Sequence, residues 1–195
     1  MSGGRVVVLG RIPDAGLALL RQTCEVWTWD DDDVIPVAVR DAQLATAEAA
    51  VTLLTNRVDE QFLAAAPNLR VVANVAVGFN NIDLPACRER GVIVTNTPGV
   101  LTDATADLAM ALVLMLTRRL GEGERLIRSG EPWQWGMFMM LGTSVHGRQL
   151  GIIGMGGIGE ALAMRARAFG MTIAYHNRRP VAAEVEERIG ARRVP

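Results

Sequence analysis

Gly154-Met155-Gly156-Gly157-Ile158-Gly159 stands directly behind the apolar run Leu150 to Ile153 and ahead of the helix-forming stretch Glu160 to Phe169. Glycines in that order, between a strand and a helix, are what a backbone needs to wrap the pyrophosphate of a dinucleotide. Gly154 permits the tight turn out of the strand, Gly156 lets the main chain approach the phosphates, and Gly159 lets helix and strand pack closely. Met155, Gly157 and Ile158 belong to the same loop. The helix start then offers free N–H groups and a positive dipole end to the anion.

In such a unit an acidic residue about 20 positions further on holds the ribose 2′-hydroxyl of NAD. Here the next strand ends in Tyr175-His176-Asn177-Arg178-Arg179-Pro180, with no Asp or Glu. A carboxylate would repel a 2′-phosphate, whereas an arginine grips one with a planar fork of donors. Arg178 and Arg179 therefore favour NADPH, with NADH still possible, and Asn177 adds a hydrogen-bond donor. The alternative for the pair is two solvated arginines on a turn.

The elements that must hold these residues alternate along the chain. Strands are expected at Arg5–Leu9, Cys24–Thr28, Ala50–Leu54, Val71–Val75 and Val92–Thr95. Helical patterns lie between them near Pro13–Gln22, Val37–Thr46, Asp59–Ala65 and Leu84–Arg90. Short strands alternating with helices predict a parallel sheet covered on both faces. Pro13 and Pro85 suit first-turn positions, Asp83 suits a cap, and Gly91 suits a helix end. Thr97-Pro98-Gly99 breaks the pattern, and one long helix is expected over 102–120. Its side chains are apolar nearly all round, which predicts cover on both sides. Glu131–Leu141 crowds Trp, Met and Phe into a stretch without a period; it reads either as a loop tucked onto its own domain or as a subunit contact. A second βαβ unit follows, with a strand at Leu150–Gly154, a helix at Glu160–Gly170, a strand at Met171–His176 and the start of a third strand at Arg192–Pro195.

A chain of 195 residues allows one ample core or two small domains, and 50% hydrophobic with 21% charged content describes a globular protein. The net charge is −1 and all 20 basic residues are arginine without a basic tract, so nucleic acid is not an expected partner. Asp30–Asp33 reads as a solvated loop, since no turn Gly or distal Glu follows at calcium-loop spacing. Cys24 and Cys87 stand apart without metal or redox spacing, so inert thiols and no metal site are expected. Val6–Leu9 is too short for a signal peptide and Ala104–Leu116 too short to span a bilayer. A cytoplasmic protein without a membrane partner is the expectation.

Three segments together carry a resemblance. They are Val75-Ala76-Val77-Gly78-Phe79-Asn80-Asn81-Ile82-Asp83, the run from Gly91 through Thr97-Pro98-Gly99 to Ala109, and the glycine fingerprint. In that order they resemble the D-isomer-specific 2-hydroxyacid dehydrogenases, in particular the glyoxylate/hydroxypyruvate reductase branch. The resemblance spans essentially the whole chain. It implies an α/β protein, with a flavodoxin-like parallel-sheet substrate domain over residues 1–97. An incomplete Rossmann dinucleotide-binding domain would follow over 98–195, including a linking helix over 102–120.

The resemblance also implies roles. Val77 and Gly78 would offer main-chain N–H groups to a substrate carboxylate, and Leu54 to Asn56 would face the same cleft. Thr105 would contact the cofactor near its nicotinamide, and Gly156, Gly157 and Ile158 would lie against the pyrophosphate. The substrate would be a small 2-oxo acid, glyoxylate or hydroxypyruvate, and the full-length enzyme would be a homodimer. In the family an Arg, a Glu and a His perform the carbonyl chemistry; all three are expected beyond Pro195, so no catalytic residue is assigned here and this chain alone is expected to be inactive. Neither His146 nor His176 matches the family's proton donor. The competing readings are another member of the family, of phosphoglycerate or formate type, and a non-catalytic nucleotide-binding or interaction module.

Overall fold

The computed structural model describes residues 3–195, and the chain divides after Pro98 into two compact units. The first alternates β1 (Arg5–Val8), α1 (Asp14–Arg21), β2 (Glu25–Thr28), α2 (Val37–Leu44), β3 (Ala49–Thr52), α3 (Glu60–Ala65), β4 (Val71–Asn74), α4 (Leu84–Glu89) and β5 (Ile93–Thr95). All strand pairs are parallel and the sheet order is β2-β1-β3-β4-β5. That is the flavodoxin-like order.

Its inner strands β1 and β3 are largely buried on both faces, so they read as apolar runs. Side chains alternate across a strand. Val7, Ala50 and Val72 join Leu44, Phe62, Leu63 and Cys87 on one side of the sheet, while Val6, Val8 and Val51 meet Leu17 on the other. The helix starts are set locally. Asp59 accepts the Phe62 N–H at 3.1 Å and Asp83 accepts the Ala86 N–H at 3.0 Å, each satisfying a first-turn donor. Pro13 and Pro36 stand one residue ahead of α1 and α2, as caps.

The second unit runs α5 (Thr102–Thr117), α6 (Leu120–Ser129), β6 (Gln149–Ile153), α7 (Gly157–Ala168), β7 (Thr172–His176), α8 (Ala183–Ile189) and β8 (Ala191–Arg193). Its parallel sheet has the order β6-β7-β8, one half of a Rossmann arrangement. Met110, Ile152, Ala163, Ile173, Tyr175 and Ile189 form its core.

Several expectations are corrected here. The helix expected over 102–120 ends at Thr117, because Arg119 adopts the left-handed conformation at φ 57° and opens a separate helix, α6. The full helix α8 between β7 and β8 was not anticipated, nor was α6. The helix after the glycines starts three residues earlier than Glu160, inside the fingerprint itself. Cover on both sides of α5 is also not observed. Ala106 and Met110 are buried, and Arg165 of α7 reaches Asp107 at 2.6 Å and Asp103 at 3.1 Å. Leu108, Leu112 and Leu116 stay exposed, since α7 covers one side only. Strand β6 lies at an edge of its sheet, with Ile153 91% exposed. Among the described residues no helix is long and apolar enough to cross a membrane.

Candidate functional site

In the first unit the loops leaving β3 and β4 are tied together by side-chain amides. Thr52 and Asn74 end the two strands and are almost fully buried. Thr52 Oγ1 donates to Asn74 Oδ1 at 2.9 Å, and Asn74 Nδ2 donates to the Gly78 carbonyl at 2.9 Å. Asn81 Nδ2 reaches the carbonyls of Leu53 at 3.2 Å and Asn56 at 2.9 Å, and Asn74 Oδ1 at 3.2 Å. Asn56 Oδ1 accepts the Leu53 N–H at 2.7 Å, and Asn96 Nδ2 donates to the Val77 carbonyl at 2.9 Å. Buried amides with partners at each end are rigid anchors, because leaving one unpaired costs more than the bond itself contributes.

This network holds the loop 75–82 by its carbonyls. Among the described residues the N–H groups of Val77 and Gly78 have no acceptor, and Val77 and Leu54 are exposed. A β-carbon at Gly78 would meet nothing within 4 Å, so the glycine leaves open space over those N–H groups. Leu54 and Asn56 do not share a pocket. Leu54 lines a depression with Asn80 and Asp83, while Asn56 lines one with Arg11, Trp29, Arg57 and Phe62 at the switch between β1 and β3. Of the residues in this network, Asn56, Val77 and Gly78 were assigned a role from the sequence. Thr52 and Asn74 carried no signal, because a lone Asn or Thr at a strand end has no spacing to recognise; Asn81 and Asn96 lay within the segments of the resemblance but without an assigned role.

In the second unit a cleft of about 560 Å³ opens at the ends of β6 and β7. Ile153, Gly154, Met155 and Gly156 line one side, and His176, Asn177, Arg178 and Arg179 the other. Gly154 sits at φ 96°, a conformation only glycine adopts without strain. A β-carbon on Gly159 would stand 2.6 Å from the Gly154 carbonyl oxygen and 3.3 Å from Ile152 Cγ2, so helix and strand approach as closely as glycine allows. Gly156 faces open space and no side chain caps α7, whose first N–H groups therefore remain for an anion.

Asn177 is engaged with the glycine loop. Its Oδ1 accepts the Met155 N–H at 2.7 Å and its Nδ2 donates to the Met155 carbonyl at 3.1 Å, leaving one amide hydrogen. Thr105 is exposed on α5, and it is Thr102, a residue not singled out from the sequence, that lies 3.8 Å from where a β-carbon on Gly157 would stand. His176 Nδ1 lies 3.3 Å from the Val194 carbonyl, and His146 packs beside Gly170. Asp30 and Asp32 lie in an exposed loop beside Arg11, at 3.4 and 3.5 Å. Burial, with Asp83 adding to it, pushes the Cys87 thiol up, away from nucleophilic use. Among the described residues no three His, Cys, Asp or Glu side chains are grouped to hold a metal.

The sequence pattern described as D-isomer specific 2-hydroxyacid dehydrogenase, catalytic domain, matches residues 6–189. A glyoxylate reductase of Thermococcus onnurineus is 44% identical over 196 residues, covering 98% of this chain and 58% of that protein. A solved structure of a Thermus thermophilus protein superposes with a TM-score of 0.89 at 38% identity, covering 97% of this chain and 59% of that one. A glyoxylate reductase from Paecilomyes thermophila gives 0.81 at 30% identity, covering 100% and 61%. The chain thus spans less than two thirds of the length of these relatives. With the fingerprint, the loop 75–83 and both sheets in agreement, the chain belongs to the D-isomer specific 2-hydroxyacid dehydrogenase family.

Proposed function

We propose that this chain carries the substrate-carboxylate loop and the phosphate cleft of an NADPH-dependent reductase. Its substrate is a small 2-oxo acid, glyoxylate or hydroxypyruvate, and its product glycolate or D-glycerate. The observation that carries the reading is the cleft of the second unit. Glycine loop and arginine pair flank one opening, and no carboxylate lines it. Residues 1–97 then act as the substrate domain and 98–195 as the first part of the nucleotide domain.

The geometry fits that cofactor class. Gly154, Gly156 and Gly157 give the pyrophosphate a wall without side chains, Ile158 its main-chain N–H at the uncapped start of α7, and Met155 and Gly159 hold the turn. Arg178 and Arg179 offer the 2′-phosphate two cations, and Asn177 orders the glycine loop through Met155. Thr105 serves the nicotinamide end. When bound, the reduced nicotinamide supplies a hydride for the substrate carbonyl. The free N–H groups of Val77 and Gly78 hold the substrate carboxylate, and Leu54 and Asn56 border the approach. Negative charge developing on the carbonyl oxygen needs a donor. His146 and His176 are already placed against Gly170 and Val194, and neither is assigned that part.

NMR titration of the chain tests both halves. NADPH should shift the amides of residues 154–159 and 177–179, and glyoxylate those of Val77 and Gly78. Silence at 154–159 removes the cofactor assignment; silence at 77 and 78 removes the substrate assignment. A homodimer goes with this reading, supported by the exposed Trp133, Trp135, Met137 and Phe138 in a segment that does not tuck away. Sedimentation as a monomer at high concentration would remove it.

A further inference from the structure

The arginine turn at the end of β7 is held from three directions. Asn177 clasps the Met155 backbone with both ends of its amide. Tyr175 is fully buried, and its hydroxyl accepts the Val181 N–H at 3.2 Å while donating to Glu186. The third hold comes from the neighbouring strand. Arg193 of β8 stands opposite Tyr175 in the parallel register, and its Nη2 donates to the carbonyls of Asn177 at 2.9 Å and Arg178 at 3.3 Å. The backbone that displays Arg178 and Arg179 is thereby pinned by a third arginine.

The charges make that arrangement unusual. Among the described residues none of Arg178, Arg179 and Arg193 is ion-paired with a carboxylate, whereas Arg165, Arg188 and Arg119 in the same unit are. Three unpaired cations around one turn repel one another, and an arriving dianion relieves the repulsion. Arg193 directs its Nη2 to two main-chain carbonyls of the turn, and through them it can act on a ligand without touching it.

We propose that Arg193 is a positioning residue for the 2′-phosphate: by holding the carbonyls of Asn177 and Arg178 it sets the turn that displays Arg178 and Arg179, and so governs selectivity between 2′-phosphorylated and unphosphorylated adenosine. This rests on the cofactor reading above and extends it to a residue outside the fingerprint.

The test uses the 195-residue chain with two adenosine probes, 2′,5′-ADP and 5′-AMP, by calorimetry, alongside amide exchange of the ligand-free protein. The wild-type chain should prefer 2′,5′-ADP. Arg193→Ala should narrow that preference by about three- to tenfold, the value of one or two lost hydrogen bonds, with 5′-AMP affinity unchanged. The same variant should exchange the Val181 amide, held by the Tyr175 hydroxyl, faster before any ligand is added. An equal loss for both probes would make Arg193 merely structural and overturn the proposal. A selectivity loss with unaltered exchange in the turn would mean direct phosphate contact and overturn it too. If the wild-type chain shows no preference, the NADPH reading itself falls, and this inference falls with it; that outcome is distinct from the first two.

Discussion

The loop 75–82 of the first unit and the turn 177–181 of the second are the two anion sites of the proposed function, yet they are built in opposite ways. The first is held by the buried amide of Asn74 and the half-buried amide of Asn81, and offers main-chain N–H groups. The second is held partly by exposed groups and offers arginine side chains. Main-chain donors read an anion's charge and shape but little beyond it. Side-chain cations read a particular phosphate, and they can be exchanged without disturbing a core. The comparison separates a site whose failure is a stability loss from one whose failure is a change of ligand.

The sharpest way to break that contrast is at Asn74. Asn74→Ala takes the acceptor from the buried Thr52 hydroxyl and releases the Gly78 carbonyl, and should lower unfolding free energy by about 2 kcal/mol in a urea titration. A loss below about 0.5 kcal/mol, the usual range for surface changes, would show that the network does not hold the loop.

Two alanines in the glycine loop divide structure from recognition within a few residues. Gly159→Ala forces a methyl group against the Gly154 carbonyl and should cost about 2 kcal/mol of stability, as overpacking does. Gly156→Ala meets no neighbour and should leave the melting curve in place while NADPH binding falls. If Gly156→Ala binds normally, the pyrophosphate does not pass over that position.

At the arginine turn the effect is confined to the ligand. Arg178→Ala with Arg179→Ala should weaken NADPH by about tenfold or more, the value of lost charge-assisted hydrogen bonds, and leave NADH nearly unchanged. Equal losses for both would defeat the assignment. The NADPH affinity of the wild-type chain should also fall more steeply with salt than its NADH affinity.

The smallest effect concerns pH. Burial first, and then the hydrogen bond to Glu186, raise the Tyr175 phenol above its ordinary range near 10. A raised acid keeps its proton in the folded state after the unfolded chain has released it. Stability from this group is thus complete below about pH 10 and falls as pH climbs toward the folded value. Tyr175→Phe should flatten that alkaline decline in a pH series of melting curves; an unchanged slope would place the cause elsewhere.

Much of the architecture was legible before the fold. Apolar runs about five residues long, separated by helical patterns, identify parallel strands because both faces of such a strand are buried. Asp59, Asp83 and the fingerprint glycines mark helix starts by local chemistry alone. What escaped has a common physical reason. The break at Arg119 depends on a single non-glycine residue in the left-handed region, which residue type does not announce. The helix α8 is short, and its apolar side chains, Val185 and Ile189, are too few to show a period.

The residue types and local order by themselves determined the family, the parallel α/β class, the glycine-rich strand-to-helix turn and the arginines that line one cleft with it, because each depends on neighbours within a few positions. Only the tertiary structure decided that Thr52 to Asn74 and Leu53 to Asn81 tie the loop 75–82 to the end of β3 across 22 to 28 residues of chain, that Asn177 clasps the glycine loop, and that Arg193 pins the arginine turn. Those are hydrogen bonds between segments remote in sequence. A polar side chain shows its role there only once folding has buried it or brought a carbonyl within reach.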